Sequence, residues 1–272
     1  MSIHVFIGNQ SMKEKRSGRR NQISNIILIV AIAVFLFSGY KLFTIFWEYD
    51  KGDSEYEAIE NSVVVIETIV EEETGEEKEI FKVDFKELQS INPDVVGWIR
   101  FEQPEKINYP VVKGPDNDKY LKTTFENKKN AAGTIFMDAN NAGDFSDRNT
   151  FIYGHNMKNG SMFGQLRKYK NADYCKENPY FYIYTPDGKE VKYQIFAACI
   201  VENVSESYTK TYSNDEEYLE YLKYIRSKSR YKVDVELTAA SQIVSLSTCT
   251  NVTETQRLLV HGVKISETVL GE

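Results

Sequence analysis

A chain of 272 residues with 42% hydrophobic and 13% aromatic content can bury one large core or two small ones, and its 18 Tyr and 15 Phe favour strands. The net charge of -7 is unevenly spread: residues 1–47 sum to about +5, residues 48–79 to about -11, and the remainder to about -1. A nearly neutral folded part offers no broad basic face, which argues against a nucleic-acid partner.

Lys13, Lys15, Arg16, Arg19 and Arg20 open the chain, so residues 1–22 read as a basic cytoplasmic tail. Met12 directly precedes this cluster, and the first eleven residues are either part of that tail or upstream of the true start. Ile26 to Phe37 is an unbroken apolar run, and the apolar character resumes after Lys41 through Phe46 and Trp47. Spanning the hydrocarbon core takes about 20 residues, so residues 23–47 are long enough for a single transmembrane signal anchor. Basic residues before the span and acidic ones after it predict a cytoplasmic N-terminus and an extracellular domain, with Tyr40 and Trp47 at the outer interface. A cleaved signal peptide and a buried helix are the alternatives; Ser38-Gly39 is a weak cleavage candidate. Residues 48–80 are acidic and poor in turn residues, with one apolar island at Val63–Ile66, and read as a partly helical stalk. The folded domain is expected over 81–272.

Phe85–Ile91 has helical spacing, ended by Asn92-Pro93. Short apolar runs then alternate with turn signals at 95–101, 109–112, 134–137, 150–153, 180–184, 190–201, 243–247 and 258–265. Pro186-Asp187-Gly188-Lys189 reads as a hairpin turn between two of them. About eight strands predict a mostly β fold, a barrel or sandwich rather than βαβ units. Two helical stretches interrupt the strands. Asp116–Phe125 is short and suited to covering a barrel opening. Ser213–Ser229 begins with capping and acidic residues and repeats Tyr218, Leu219, Leu222 and Ile225 at helical spacing. Such a stripe usually packs on a core, though this helix could also wall a site.

Three cysteines in an exported domain cannot all pair internally. Cys199 sits in an apolar strand and reads as core, and nothing in the spacing favours a bridge to Cys175. No metal-type cysteine pair or His-x-x-x-His spacing occurs, so neither a metal nor another cofactor is expected. Cys249 is different, because it ends the run Ser245-Leu-Ser-Thr-Cys249 and Arg257 follows eight residues later. Of the three histidines, His4 precedes the anchor and His261 lies inside an alternating strand, where packing is the usual role. His155 follows Thr-Phe-Ile-Tyr-Gly and opens a glycine-rich loop, where a side chain can face a cleft. A thiol is only partly ionised at neutral pH, so nearby positive charge is needed to raise its thiolate fraction. A protonated histidine supplies that charge and can later protonate a leaving amine. An arginine stays charged, which suits it to holding an oxyanion.

The Tyr-Gly-His-Asn-Met loop, the Leu-Ser-Thr-Cys strand end and the arginine eight residues on, behind an N-terminal anchor, resemble a sortase. Asn92-Pro-Asp-Val-Val-Gly-Trp-Ile99, Ile107-Asn-Tyr-Pro-Val-Val112, Gly133-Thr-Ile-Phe-Met-Asp138 and the long helix before the cysteine strand resemble the class B branch, found in Gram-positive bacteria. The resemblance covers about Phe85 to Ile265. It implies an eight-stranded β-barrel, with Cys249 as nucleophile, His155 as general acid/base and Arg257 as transition-state stabiliser. It further implies substrate contacts from Asn117, Leu121, Ser247 and Thr248, and from Tyr221 and Leu222 on the long helix. The implied reaction cleaves an Asn-Pro-x-Thr or Ser-Pro-x-Thr sorting signal of a secreted protein after Thr. The thioacyl enzyme then passes the acyl group to an amine of a lipid II-type peptidoglycan precursor. Ser245 and Thr250 depart from residues common in the family, leaving any acidic fourth participant open. Two other readings compete: an exported papain-like hydrolase, whose cysteine would precede its histidine and open a helix, and a non-catalytic stalked binding module.

Overall fold

One long helix, α1 (His4–Val63), opens the chain. The computed structural model describes residues 4–70 and 77–270, and the protein divides into two units between Asp50 and Lys51. In the first unit the helix exposes its apolar residues from Ile26 through Trp47. A stretch beginning at Ser24 reaches a mean hydropathy of 2.4, long and apolar enough to cross a membrane.

The second unit begins with the last turns of α1. The acidic segment expected as a stalk starts out docked, not free. Tyr56, Ile59 and Val63 recur on one face and are buried. The Tyr56 hydroxyl donates to the Gly133 carbonyl (2.5 Å), Glu60 accepts from Asn108 Nδ2 (2.7 Å), and Glu55 accepts from the Glu126 N–H (3.1 Å). The acidic residues alternate with this stripe, and charge composition alone hid it. The chain then forms a hairpin of β1 (Val64–Val70) and β2 (Glu77–Val83), with Ile66 opposite Phe81. The stalk residues 71–76 lie outside the described residues. Phe81 is buried against the Tyr184 ring at 4.8 Å, so the folded domain starts about thirty residues before the expected Phe81 boundary. Next comes α2 (Phe85–Ile91), capped by Asp84, whose carboxylate accepts from the N–H groups of Lys86 and Glu87, and closed at Asn92.

Eight further strands close a barrel: β3 (Val95–Arg100), β4 (Asn108–Val112), β5 (Ile135–Met137), β6 (Asn149–Tyr153), β7 (Tyr180–Thr185), β8 (Lys189–Glu202), β9 (Ile243–Cys249) and β10 (Gln256–Val269). Their order around it is β10-β8-β7-β3-β4-β5-β6-β9, antiparallel except for the parallel pairs β4/β5 and β6/β9. The expected turn at 186–189 joins β7 to β8, with Gly188 at φ +78°, where a side chain would be strained. Two more helices are α3 (Ala172–Glu177) and α4 (Asp215–Lys228). The expected helix over 116–125 shrinks to a 3-10 turn at Lys119–Leu121. Asp116 accepts from the N–H groups of Asp118 and Lys119, and Thr123 pairs with Lys129, so local side-chain bonds and a bridge displace helical ones.

Side chains alternate across β9, and the two faces differ. Val244, Leu246 and their partners Ile152 and Val260 are buried on one face. On the other face, Ile243 and Val263, with Leu259 alongside, lie beneath α4, packed with Tyr218, Tyr221, Leu222 and Ile225. That covered face, followed toward the C-terminal end of β9, carries the candidate site.

Candidate active site

Strand register and one loop bring three distant residues to one cavity. Parallel pairing of β6 with β9 sets Tyr153 beside Ser247, and the Gly154 N–H extends the ladder to the Ser247 carbonyl (3.1 Å). Cys249 ends β9 two residues beyond Ser247, and His155 lies two residues beyond Tyr153, just past the end of β6. Antiparallel pairing of β9 with β10 puts Arg257 directly opposite Cys249. Cys249 and Arg257 thus face each other across β9 and β10, His155 enters from the loop after β6, and all three line one open cavity of about 360 Å³.

The loop after β6 is held to the cysteine strand at several points. Gly154 must be glycine: a Cβ there would sit 2.4 Å from Ile135 Cδ1 and 2.7 Å from the Phe163 ring. Asn156 Nδ2 donates to the Cys249 carbonyl (2.7 Å), and Asn251 Nδ2 donates back to the Asn156 carbonyl (3.0 Å). His155 is half-buried, and its Nε2 lies 2.6 Å from the Leu121 carbonyl. A carbonyl oxygen can only accept, so Nε2 carries the hydrogen and Nδ1 is the other, free nitrogen. Arg257 donates through Nη1 to the carbonyls of Glu254 (2.8 Å) and Gln256 (3.1 Å), which steadies a guanidinium that carries five N–H donors.

Of the residues the sequence singled out for substrate, Asn117, Leu121, Ser247 and Thr248 all line the cavity. Tyr221 and Leu222 do not. Leu222 is buried in the cluster beneath α4, and the Tyr221 hydroxyl donates to the Ser207 carbonyl (2.9 Å) and accepts from Asn149 (3.0 Å). The α4 stripe is a packing surface, and the expectation that it walls the groove is corrected. A helical repeat names the buried face without naming its partner.

Sequence reasoning missed the residues that complete the walls. Tyr208 lies in a 3-10 turn after β8, stacks on Phe151 at 5.4 Å and shares a 2.8 Å hydrogen bond with Ser247. Burial pushes its hydroxyl pKa up. Phe136, Tyr153, Asn203, Asp138 and Lys210 also line the cavity. Asp138 closes the quoted run Gly133–Asp138, a signal that could have marked it, whereas nothing local distinguishes Lys210.

The other cysteines and the strand histidine have different surroundings. All three cysteines are free thiols, with Cys175 and Cys199 buried and Cys249 half-buried. Burial pushes the Cys199 thiol up to about 12. His261 is fully buried, with Nδ1 2.8 Å from Ser245 Oγ, and burial drives its pKa down to about 3. It is a neutral core residue.

The sortase domain model matches residues 103–265. Sortase B of Listeria monocytogenes is 32% identical over 225 residues, covering 82% of this chain and 88% of that protein. Sortase B of Staphylococcus aureus is 29% identical over 251 residues, covering 91% and 98%. Among solved structures, sortase B from Bacillus anthracis in complex with AAEK1 aligns with a TM-score of 0.69 at 34% identity, over 82% of this chain and all of that one. The Staphylococcus aureus sortase B–substrate complex aligns with a TM-score of 0.63 at 31% identity, over 67% and 84%. Barrel and sequence agree over most of the length, and the chain belongs to the sortase B family of cysteine transpeptidases.

Proposed function

We propose that this transpeptidase cleaves an Asn-Pro-x-Thr or Ser-Pro-x-Thr sorting signal after Thr and joins the acyl group to an amine of a peptidoglycan precursor. The convergence of His155, from the loop after β6, with Cys249 and Arg257, paired across β9 and β10, on one cavity carries this reading. Cys249 passes its thiol proton to His155 Nδ1, the thiolate attacks the Thr carbonyl carbon, and the carbonyl electron pair moves to oxygen. Arg257 faces that oxyanion with N–H groups not engaged by the Glu254 and Gln256 carbonyls. Collapse expels the amine of the residue after Thr, protonated from His155 Nδ1 while Nε2 stays on the Leu121 carbonyl. The incoming amine attacks the thioester carbonyl, His155 takes its proton, and Cys249 leaves as thiolate. The new amide retains the acyl group of Thr.

In the same reading residues 23–47 anchor the enzyme, residues 1–22 stay in the cytoplasm, and the barrel acts on the extracellular side. Apolar length and the basic flank before the span support that orientation.

The test uses the full chain in detergent with both peptides and a panel of amines. An amide adduct, absent without enzyme, is expected. Cleavage with no adduct under any acceptor would instead mark a hydrolase. Arg257→Lys is expected to lower kcat/KM by about 10²–10³, because a point charge cannot replace the planar fork. Near-native turnover in that variant would remove Arg257 from the mechanism.

A further inference from the structure

One wall of the cavity carries a charged pair that the proposed chemistry leaves unused. Asp138, just after β5, is fully buried, yet hydrogen bonds converge on both its oxygens. Oδ1 accepts from the N–H (2.9 Å) and Nδ2 (3.1 Å) of Asn140. Oδ2 accepts from the Tyr153 hydroxyl (2.8 Å), from Asn117 Nδ2 (3.1 Å) and from the Lys210 ammonium. Burial alone would raise the Asp138 pKa, but the bonds from Lys210, the Asn140 N–H and Tyr153 outweigh it and hold the carboxyl below the usual range. The carboxylate is therefore a fixed negative charge inside a wall of the site.

Asp138 also orients its donors. Asn117 is held between Asp138 and the Ala139 N–H, which donates to its Oδ1 (2.8 Å). Lys210 is only partly exposed and lies over the Phe151 ring at 5.9 Å. Its ammonium has three hydrogens, and the bond to Asp138 uses one. The pair as a unit is close to neutral. A peptide amide or carbonyl can accept a charge-assisted bond from Lys210 without opposing charge. A carboxylate in the same place would meet Asp138 Oδ2 across the shared ammonium, and like-charge juxtaposition is strongly unfavourable.

Building on the proposed transpeptidation, we propose that the Asp138–Lys210 pair sets substrate specificity, accepting a neutral amide or carbonyl of the sorting signal and rejecting an acidic side chain. Lys210 makes the contact and Asp138 is the positioning residue. The test measures kcat and KM for the full-length enzyme, Asp138→Asn and Lys210→Met. Neutral signals are matched with versions carrying Asp for Asn, or Glu for Gln at the variable position. Wild type is expected to prefer the neutral peptide by about ten- to a hundredfold in kcat/KM at one of these positions. Asp138→Asn keeps the size and an acceptor oxygen but frees Lys210, so the preference should shrink at least several-fold or reverse. Lys210→Met should raise KM for the neutral peptide and leave the acidic one still poorer. Carboxamidomethylation of Cys249 by iodoacetamide, at an unchanged rate, checks that each variant keeps its thiol environment.

Equal turnover of neutral and acidic peptides by wild type at both positions would overturn the proposal. So would an Asp138→Asn loss that is equal for both, the mark of a purely structural role. If Asp138→Asn does not fold, an unchanged KM and preference in Lys210→Met overturns it independently. Failure of wild type to act on any of the peptides would instead overturn the sorting-signal reading, and this proposal with it.

Discussion

Two ends of one sheet face hold the same residue types in opposite states. Cys199 lies in the cluster beneath α4 and His261 packs on Phe196 of that cluster; Cys249 and His155 line the cavity. Cys199 directs its thiol to the Ile225 carbonyl (3.5 Å) and His261 is sealed against Ser245, whereas Cys249 and His155 line an open cavity. Residue identity therefore does not distinguish a cavity-lining thiol from a sealed one in this chain. Cover does: burial without a compensating charge disfavours the Cys199 thiolate and the His261 imidazolium alike.

The sharpest way to break the comparison exchanges the two thiols' fates. Cys249→Ala should abolish transpeptidation, a loss of about 10³-fold or more, since no other described cysteine lines the cavity. Cys199→Ala should retain kcat/KM within a factor of two or so, with a stability loss of roughly 1–2 kcal/mol from the smaller side chain. A peptide-turnover assay beside a denaturant titration separates these outcomes. A large activity loss in Cys199→Ala would show that the covered end takes part in the chemistry.

The cover itself can be loosened. Leu222→Ala removes a side chain that is 2% exposed, from the middle of the α4 interface. It should cost about 2–5 kcal/mol in unfolding free energy. Peptide KM should stay unchanged at temperatures where the variant is folded. A KM that rose while stability held would return α4 to the groove wall.

Much of this contrast was legible in the chain itself. Alternating apolar runs located all eight barrel strands, and the turn at 186–189 paired two of them, because those signals are local. Cys249, His155 and Arg257 stood out as residue types at or just past strand ends, and the fold brings all three to the lining of one cavity. What stayed hidden depends on remote partners. The acidic end of α1 docks through Tyr56 onto Gly133, 77 positions away, and Lys210 meets Asp138 across 72 positions. The α4 stripe correctly marked Tyr218, Leu222 and Ile225 as inward-facing. Which surface received that face was a tertiary fact, and the assignment of Tyr221 and Leu222 to the groove failed there.

His261 gives the comparison its finest test, because its protonation reports the cover directly. Its folded pKa of about 3 lies below the ordinary 6.5. Between those values the unfolded chain binds a proton that the folded protein does not, so stability rises with pH across that window. Its contribution is complete above about pH 6.5 and is lost progressively as pH falls toward 3. Over the first 1.5 units or so below 6.5 the loss should approach 2 kcal/mol. His261→Gln removes the titration, and comparing denaturant unfolding of both proteins at pH 7 and pH 5 isolates it from the carboxylates they share. Wild type should lose more stability than the variant over that interval. Equal losses would mean that water or a partner reaches the His261 ring, and that the packing around Phe196 and Ser245 does not seal it.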